Sequence, residues 1–381
     1  MGLNRDRITG VLWSRPGEAT SPVLGAGLRA LSIGYGVAVR LRAGLYRRGW
    51  PAVRSLPRPV VSVGNITVGG TGKTPLILYL ADRLRRAGYR PAVVSRGYGG
   101  TAQAGGAVVS DGEGKRPRLD VKGAGDEPFL MAQLLKTVPV VVGRDRHRAG
   151  TVAVDRFSPD LILIDDGFQH LRLRRNLDIV LADARWPLGN GYLLPRGPLR
   201  EPPTALGRAH GAVLTRCDRA DDGGAEAEAI LRKFLPAGAP VFRSVHRPVI
   251  RSLRRGTASA FPTAPNPGEI RRLMTSPDRG TLVFSGIADN AEVERSATAL
   301  GATVVGQFGF ADHHSYTADD ISKVVETARK AGADILLTTE KDAVRLPAAD
   351  PLPLDLIVIG VEIDFGAHAD PFFQWVESGI L

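Results

Sequence analysis

The stretch Val60-Val61-Ser62-Val63-Gly64-Asn65-Ile66-Thr67-Val68-Gly69-Gly70-Thr71-Gly72-Lys73-Thr74 opens on an apolar run and closes on Gly-Lys-Thr. Val60 to Val63 has the length and β-branched content of a buried strand, and Thr74 to Ala87 has a helical pattern that stops at Gly88. Between them, glycines let backbone N–H groups face an anion, and the helix N-terminus adds its positive dipole end. Gly69, Gly70, Thr71 and Gly72 would form such a cradle, with Lys73 reaching β- and γ-phosphate oxygens and the Thr74 hydroxyl available to Mg²⁺. The bland alternative is a Gly-rich turn with an incidental lysine. The flanking strand and helix favour the phosphate loop.

Working outward, Pro91 to Ser95 reads as a second strand, which makes a βαβ unit. Short Val-, Leu- and Ile-rich runs follow at Val138 to Val142, Leu161 to Ile164, Ile179 to Ala182 and Ala212 to Thr215. Together they predict an α/β fold of the P-loop NTPase type, with a doubly wound, mostly parallel sheet. Residues 99–125 are Gly-rich and charged, with Asp111-Gly112 as a hairpin turn, and read as an excursion outside the sheet. Pro236 to Arg279 reads as connecting structure. Beyond it, strands at Thr281 to Ser285, Asp334 to Thr338 and Asp355 to Gly360 predict a second, smaller α/β domain. Its helices are Ala291 to Leu300, stopping at Gly301, and one starting at Thr317, where Asp320 completes a capping box. The expected division is 1–50, 51–240 and 241–381.

Composition is that of a globular chain, 43% hydrophobic and 23% charged, which argues against disorder. Cys217 is alone, which excludes an intrachain disulfide and a thiolate metal cage. A net charge of +11 points to anionic partners. Nucleic acid is disfavoured, since there is no zinc-finger spacing, aromatic ribonucleoprotein motif or basic run with interleaved aromatics. No leader is evident in Met1 to Arg15.

Pro22 to Tyr46 is apolar but interrupted by Arg29, Arg40 and Arg42, which is too broken for a spanning helix. On a helical wheel Leu24, Leu28, Leu31 and Tyr35 share one side and Arg29, Arg40 and Arg47 another, as in an amphipathic helix lying on a membrane surface. Ile33 and Val37 fall on the basic side, so a helix packed on the domain core is the competing reading.

Leu161-Ile162-Leu163-Ile164-Asp165-Asp166 has the form of a Walker B strand, an apolar run ending in carboxylate where ligands gather in parallel sheets. The continuation Gly167-Phe168-Gln169-His170 is not generic. With Gly125-Asp126-Glu127-Pro128, Ser95-Arg96-Gly97-Tyr98-Gly99 and the loop from Gly64 to Pro75, it closely resembles the tetraacyldisaccharide 4'-kinase family. Gly189-Asn190-Gly191-Tyr192-Leu193-Leu194-Pro195-Arg196-Gly197-Pro198-Leu199-Arg200-Glu201-Pro202, Asp312-His313-His314-Ser315-Tyr316 and Thr338-Thr339-Glu340-Lys341-Asp342-Ala343 agree, in family order over about 280 residues. The loop core is also similar to that of partitioning ATPases, but Val68 stands in place of their signature lysine. Departures are Thr67 at the first loop glycine, Asp289-Asn290 where the family tends to have Asn-Pro, and an unfamiliar tail after Phe365.

The resemblance implies a membrane-associated kinase on the cytoplasmic face of the inner membrane. It would transfer the γ-phosphoryl group of ATP, with Mg²⁺, to the 4'-hydroxyl of a tetraacyl disaccharide 1-phosphate lipid. It also implies Asp126 as the base that takes the hydroxyl proton. Asp165, at the strand end, is the expected Mg²⁺ ligand and Asp166 would orient the base, with the two roles exchangeable. His313 would compensate the paired carboxylates and report domain closure, or be a solvated turn histidine. His170 is divided between an active-site wall and a structural bond. Arg200 would meet phosphate and Glu201 support Mg²⁺, the alternative being a surface ion pair; Arg146 is a weaker phosphate candidate.

Two rivals follow from the sequence. Leu214-Thr215-Arg216-Cys217-Asp218 imitates the guanine-reading Thr-Lys-x-Asp element of a GTPase switch, with Arg216 in place of lysine. A scaffold with a dead nucleotide site is the other, opposed by the presence of Lys73, Thr74, Asp126 and Asp165.

Overall fold

The computed structural model describes residues 22–254, 267–276, 278–287, 289–347 and 352–381. Met1 to Arg15, read as lacking a leader, lies outside them. The chain forms two compact units, one running through His246 and resuming at Ile363–Leu381, the other Arg247–Glu362.

The first unit is built on an eight-stranded sheet of β1 (Val60–Asn65), β2 (Pro91–Ser95), β3 (Ala107–Ser110), β4 (Val140–Val142), β5 (Leu161–Asp165), β6 (Leu177–Asp183), β7 (Gly211–Thr215) and β8 (Val241–Arg243). Their order is β3-β4-β2-β5-β1-β6-β7-β8, and every pairing is parallel except the β3–β4 edge. Period-two alternation sorts each strand's side chains between two layers: Leu161 and Leu163 join one core and Ile162 and Ile164 another. That is the signature of a sheet covered on both faces.

The longer helices N-terminal to β6 among the described residues are α1 (Pro22–Arg47), α2 (Lys73–Arg86), α3 (Asp126–Leu135) and α4 (Arg146–Phe157). Leu76, Ile77, Leu80, Ala81 and Leu84 recur at helical spacing and bury the inner face of α2. Each buried leucine there contributes about 1.5–3 kcal/mol. The helix ends at Ala87, followed by Gly88 at φ +92°. The other covering helices, α3 and α4, went unread in the sequence. Residues 99–125 are not wholly outside the sheet, because β3 adds an antiparallel edge. Asp111-Gly112 turns the chain after that strand, but the partner is β4 rather than a hairpin mate.

The tail after Phe365, without pattern in the sequence, carries α5 (Ala369–Ser378). Phe365, Phe372, Phe373 and Val376 enter the same core as Leu76 and Leu80, so the last residues belong to the first unit and not to the expected 241–381 domain.

The second unit has a five-stranded sheet. Its strands β9 (Val245–Arg254), β10 (Gly280–Ser285), β11 (Thr303–Gly309), β12 (Ala333–Thr339) and β13 (Asp355–Asp364) lie in the order β11-β10-β12-β13-β9. The 10-residue strand β9 lies within the stretch read as connecting structure. Thr317 and Asp320 form the reciprocal capping box of the Ala318–Lys330 helix, as the sequence predicts. Buried Asp342 accepts hydrogen bonds from Tyr316 Oη at 2.8 Å and the Gly286 N–H at 2.9 Å, which joins two of the quoted strings in one core.

Candidate active site

Strand β1 lies between β5 and β6, and Val63 is in register with Asp165. Because the pairing is parallel, the phosphate loop and the acidic pair emerge at the same end of the sheet. Lys73 Nζ stands 3.6 Å from Asp166 Oδ1.

The loop is held from several sides. Gly69 and Gly72 have φ of +102° and +93°, conformations that glycine adopts without a Cβ penalty. Asn65 Nδ2 donates to Thr71 Oγ1 at 2.9 Å, and Lys73 Nζ donates to Asn65 Oδ1 at 3.3 Å. From β7, Thr215 Oγ1 donates to the Thr71 carbonyl at 3.1 Å, and Arg216 Nη2 to the Gly70 carbonyl at 2.9 Å. Arg216 also pairs with Asp183 at 2.9 Å. The element that imitates a guanine reader therefore spends its arginine on the loop itself. Gly64 is not a displaced loop glycine but a packing site, since a Cβ there would lie 2.6 Å from Phe168 Cβ.

The Asp-Asp-Gly-Phe-Gln string has a local physical reason at each position. Asp165 ends β5; Asp166 turns the chain in the left-handed region at φ +51°. At Gly167 a Cβ would meet Ser62 Oγ at 2.5 Å, and Phe168 is fully buried. Gln169 Nε2 donates to the Asn65 carbonyl at 2.8 Å and to Glu201 Oε1 at 3.1 Å.

The two aspartates sit in opposite environments. Burial, then the charges of Glu127 and Asp166, raise the Asp165 pKa well above the usual carboxylate range, against Lys73 and Ser95. Ser95 Oγ donates to Asp165 Oδ2 at 2.9 Å, while buried Oδ1 has no partner among the described residues. An orphaned anionic oxygen beside a phosphate loop fits a divalent cation, and hard oxygen donors suit Mg²⁺. Burial would also raise Asp166, but Lys73 and Arg200 outweigh it and hold its pKa below the ordinary value.

Arg200 lies in the loop after β6, tied to the phosphate loop through its own N–H, which donates to the Ile66 carbonyl at 2.7 Å. Its Nη1 donates to both Asp166 oxygens. Glu201, expected as a metal ligand, has both oxygens held by Arg208 at 3.0 Å and one also by Gln169. Arg208 lies over the Phe168 ring at 4.4 Å. In this structure Glu201 thereby braces Arg208 and Gln169.

Asp126 is not in an isolated turn but begins α3, where its charge suits the helix N-terminus. Gly125 at φ +87° packs so closely on the Tyr98 carbonyl that a Cβ would lie 2.4 Å away, which joins the Ser-Arg-Gly-Tyr-Gly and Gly-Asp-Glu-Pro strings. Its neighbour Glu127 is near enough to Asp165 to raise its pKa. Arg146 is buried at the start of α4, bonded to the Gly143 and Arg144 carbonyls. His170 is half-buried, its pKa lowered to about 4 by burial and then by Arg146. His313 belongs to the second unit, half-exposed at φ +60°, with Asp312 at 3.9 Å.

Sequence reading missed His246. It is 8% exposed, its Nε2 has no partner among the described residues, and a Cβ on Gly72 would lie 2.6 Å from that nitrogen. Burial, then Arg216, lowers its pKa to about 3. A lone histidine near the start of an Arg- and Pro-rich stretch gives no signal in the sequence.

The sequence profile of the tetraacyldisaccharide-1-P 4'-kinase family matches residues 24–380. The chain is 42% identical to the tetraacyldisaccharide 4'-kinase of Desulfatibacillum aliphaticivorans over 99% of its own length and 98% of the relative's. It is 43% identical to that of Geobacter metallireducens, over 84% and 88%. Its fold matches the crystal structure of LpxK from Aquifex aeolicus in complex with ATP, with a TM-score of 0.71 and 29% identity over 94% of this chain and all of that one. With its phosphate loop, acidic pair and arginine assembled at one end of the sheet, this chain belongs to the tetraacyldisaccharide-1-P 4'-kinase family.

Proposed function

We propose that this site transfers the γ-phosphoryl group of ATP to the 4'-hydroxyl of a tetraacyl disaccharide 1-phosphate, a lipid A precursor. The carrying observation is the convergence of Lys73 and Arg200 on Asp166 beside a buried carboxylate with an orphaned oxygen. Loop N–H groups from Gly69 to Thr74 cradle the phosphates, and Lys73 and Arg200 offset the charge on the transferring group. Thr74 and Asp165 are the groups that would hold Mg²⁺, which supplies charge neutralisation on the phosphate oxygens when bound. Asp126 accepts the proton of the sugar hydroxyl as its oxygen bonds to the γ-phosphorus; the bond to the β-phosphate oxygen breaks and ADP leaves.

The acceptor is a lipid, and α1 suits its surroundings. Among the described residues no helix is long and apolar enough to cross a membrane. Yet α1 exposes Val23, Leu24, Leu31, Ile33, Val37 and Leu41, interleaved with arginines. The wheel reading needs correcting in one respect: Tyr35 faces the protein, while Ile33 and Val37 face outward with Leu24 and Leu31. Such a face fits an anionic bilayer surface, here the cytoplasmic leaflet of the inner membrane, with the protein peripheral.

The test is transfer of labelled phosphate from ATP to the tetraacyl disaccharide 1-phosphate, followed by chromatography. Label appearing on the disaccharide, dependent on Mg²⁺, supports the reading. Hydrolysis of ATP or GTP with no labelled lipid would overturn it.

A further inference from the structure

A membrane tether needs only a length of chain, but the inner face of α1 is bonded to the catalytic loop. Ser32 Oγ donates to the Leu193 carbonyl at 2.8 Å and accepts from the Arg196 N–H at 3.1 Å. Arg196 Nη1 donates to the Gly25 carbonyl at 3.1 Å. One helical turn on, Tyr35 Oη donates to the Arg200 carbonyl at 2.9 Å. Gly36 faces Leu193 so closely that a Cβ would lie 2.7 Å from Cδ1. Farther along, Arg42 Nη2 donates to the Gln169 carbonyl at 3.0 Å. Gly25, Ser32, Tyr35 and Gly36 lie on one stripe at helical spacing, while Leu24, Leu31, Ile33 and Val37 face solvent.

The residue that Tyr35 holds is the one on which the site turns. Arg200 is fixed at three points: its carbonyl by Tyr35, its N–H by Ile66 of the phosphate loop, and its guanidinium on Asp166. A side chain aimed at a developing charge works only if its backbone is fixed to a fraction of an ångström.

We propose that α1 is a positioning element of the active site as well as a membrane contact, and that Tyr35 is its positioning residue, setting the backbone of Arg200. The inference rests on the role of Arg200 given above. Its consequence is that seating α1 on the loop bears on turnover itself, separately from bringing the enzyme to its lipid.

The experiment uses the full chain. Acceptor dispersed in non-ionic detergent micelles removes the need to reach a bilayer, and sedimentation with phosphatidylglycerol-phosphatidylethanolamine vesicles reads membrane contact alone. Tyr35→Phe is expected to lower kcat in micelles about 3- to 10-fold, the worth of one hydrogen bond. KM for ATP and for acceptor should stay within about twofold of wild type, since a transition-state contact is weakened. Sedimentation should not change. Leu31→Ser and Val37→Ser are expected to do the reverse, losing sedimentation and keeping micellar kcat.

Gly36→Leu, which drives a side chain into Leu193, should reproduce the kcat loss and stands in if Tyr35→Phe folds poorly. Wild-type kcat in both Tyr35→Phe and Gly36→Leu would overturn the inference, as would a loss of turnover that tracks lost sedimentation. Arg200→Ala separates the two layers of the argument. If it retains full turnover, the role of Arg200 fails; if it is dead while Tyr35→Phe and Gly36→Leu are both normal, only the positioning role of α1 fails.

Discussion

Arg200 Nη1 lies 2.9 Å from both carboxylate oxygens of Asp166. Lys73 approaches the same group, so two cations keep Asp166 ionised, whereas its neighbour Asp165 is buried beside Glu127 with one oxygen unbonded. Adjacent residues at one strand end are thus pushed in opposite directions, a common way to divide labour between carboxylates.

That division predicts an uncoupling of stability from activity at Asp165. Its raised pKa means that the ionised form, present near neutral pH, is a cost to the folded protein that disappears on protonation. Asp165→Asn removes the charge and keeps an acceptor for Ser95. The melting temperature of the metal-free protein should hold or rise, while phosphoryl transfer falls by at least about 100-fold. Calorimetry and the labelled-phosphate assay read the two effects. A lowered melting temperature would show that Asp165 stabilises the fold instead.

Asp126→Asn is expected to reduce transfer by about 10²- to 10⁴-fold, the range of a lost general base. Nucleotide affinity, measured by equilibrium binding of ATP, should change little, because the cradle from Gly69 to Thr74 is a separate segment. Undiminished transfer would remove Asp126 as the base.

A different outcome is expected at Arg208. It holds both oxygens of Glu201, and Glu201 is 4% exposed. Arg208→Ala leaves that carboxylate buried with only Gln169 and should cost about 3–5 kcal/mol in urea unfolding. The double variant with Glu201→Gln should recover part of the loss. If Arg208→Ala alone costs under about 1 kcal/mol, Glu201 does not depend on Arg208 for its burial.

The strands and the phosphate loop were legible because their signals are local: a short valine-rich run, a Gly-rich turn and an amphipathic helix fall within 30 residues. Even Gly64, Gly167 and Gly125 stood inside the quoted strings, although their reason is tertiary, a close approach by Phe168, Ser62 and Tyr98. What stayed hidden depended on distant partners. The short edge strand β3 pairs with a strand some 30 residues later, and α5 completes a core begun at Leu76. Tyr35 looked like part of an apolar helix face, and only the fold shows its hydroxyl on Arg200. Thr215 and Arg216 were visible but suggested a base reader, since sequence cannot tell which side of a loop an arginine approaches.

His246 gives a pH dependence with a definite sign. Its nitrogen is buried against Gly72, and burial lowers its pKa from the ordinary 6.5 to about 3. Between those values the unfolded chain binds a proton that the native protein refuses, so stability falls as pH drops from about 6.5 toward 3. At pH 5 the loss from this one group is about 2 kcal/mol relative to pH 7. His170, with a pKa lowered to about 4, adds in the same direction. His246→Gln cannot take up that proton, so its unfolding free energy should be flatter across pH 7 to 5 than that of the parent. Urea titrations at the two pH values measure the slope. Equal slopes would mean that the imidazole is protonated in the folded state, and its nitrogen would then need an acceptor beside the loop.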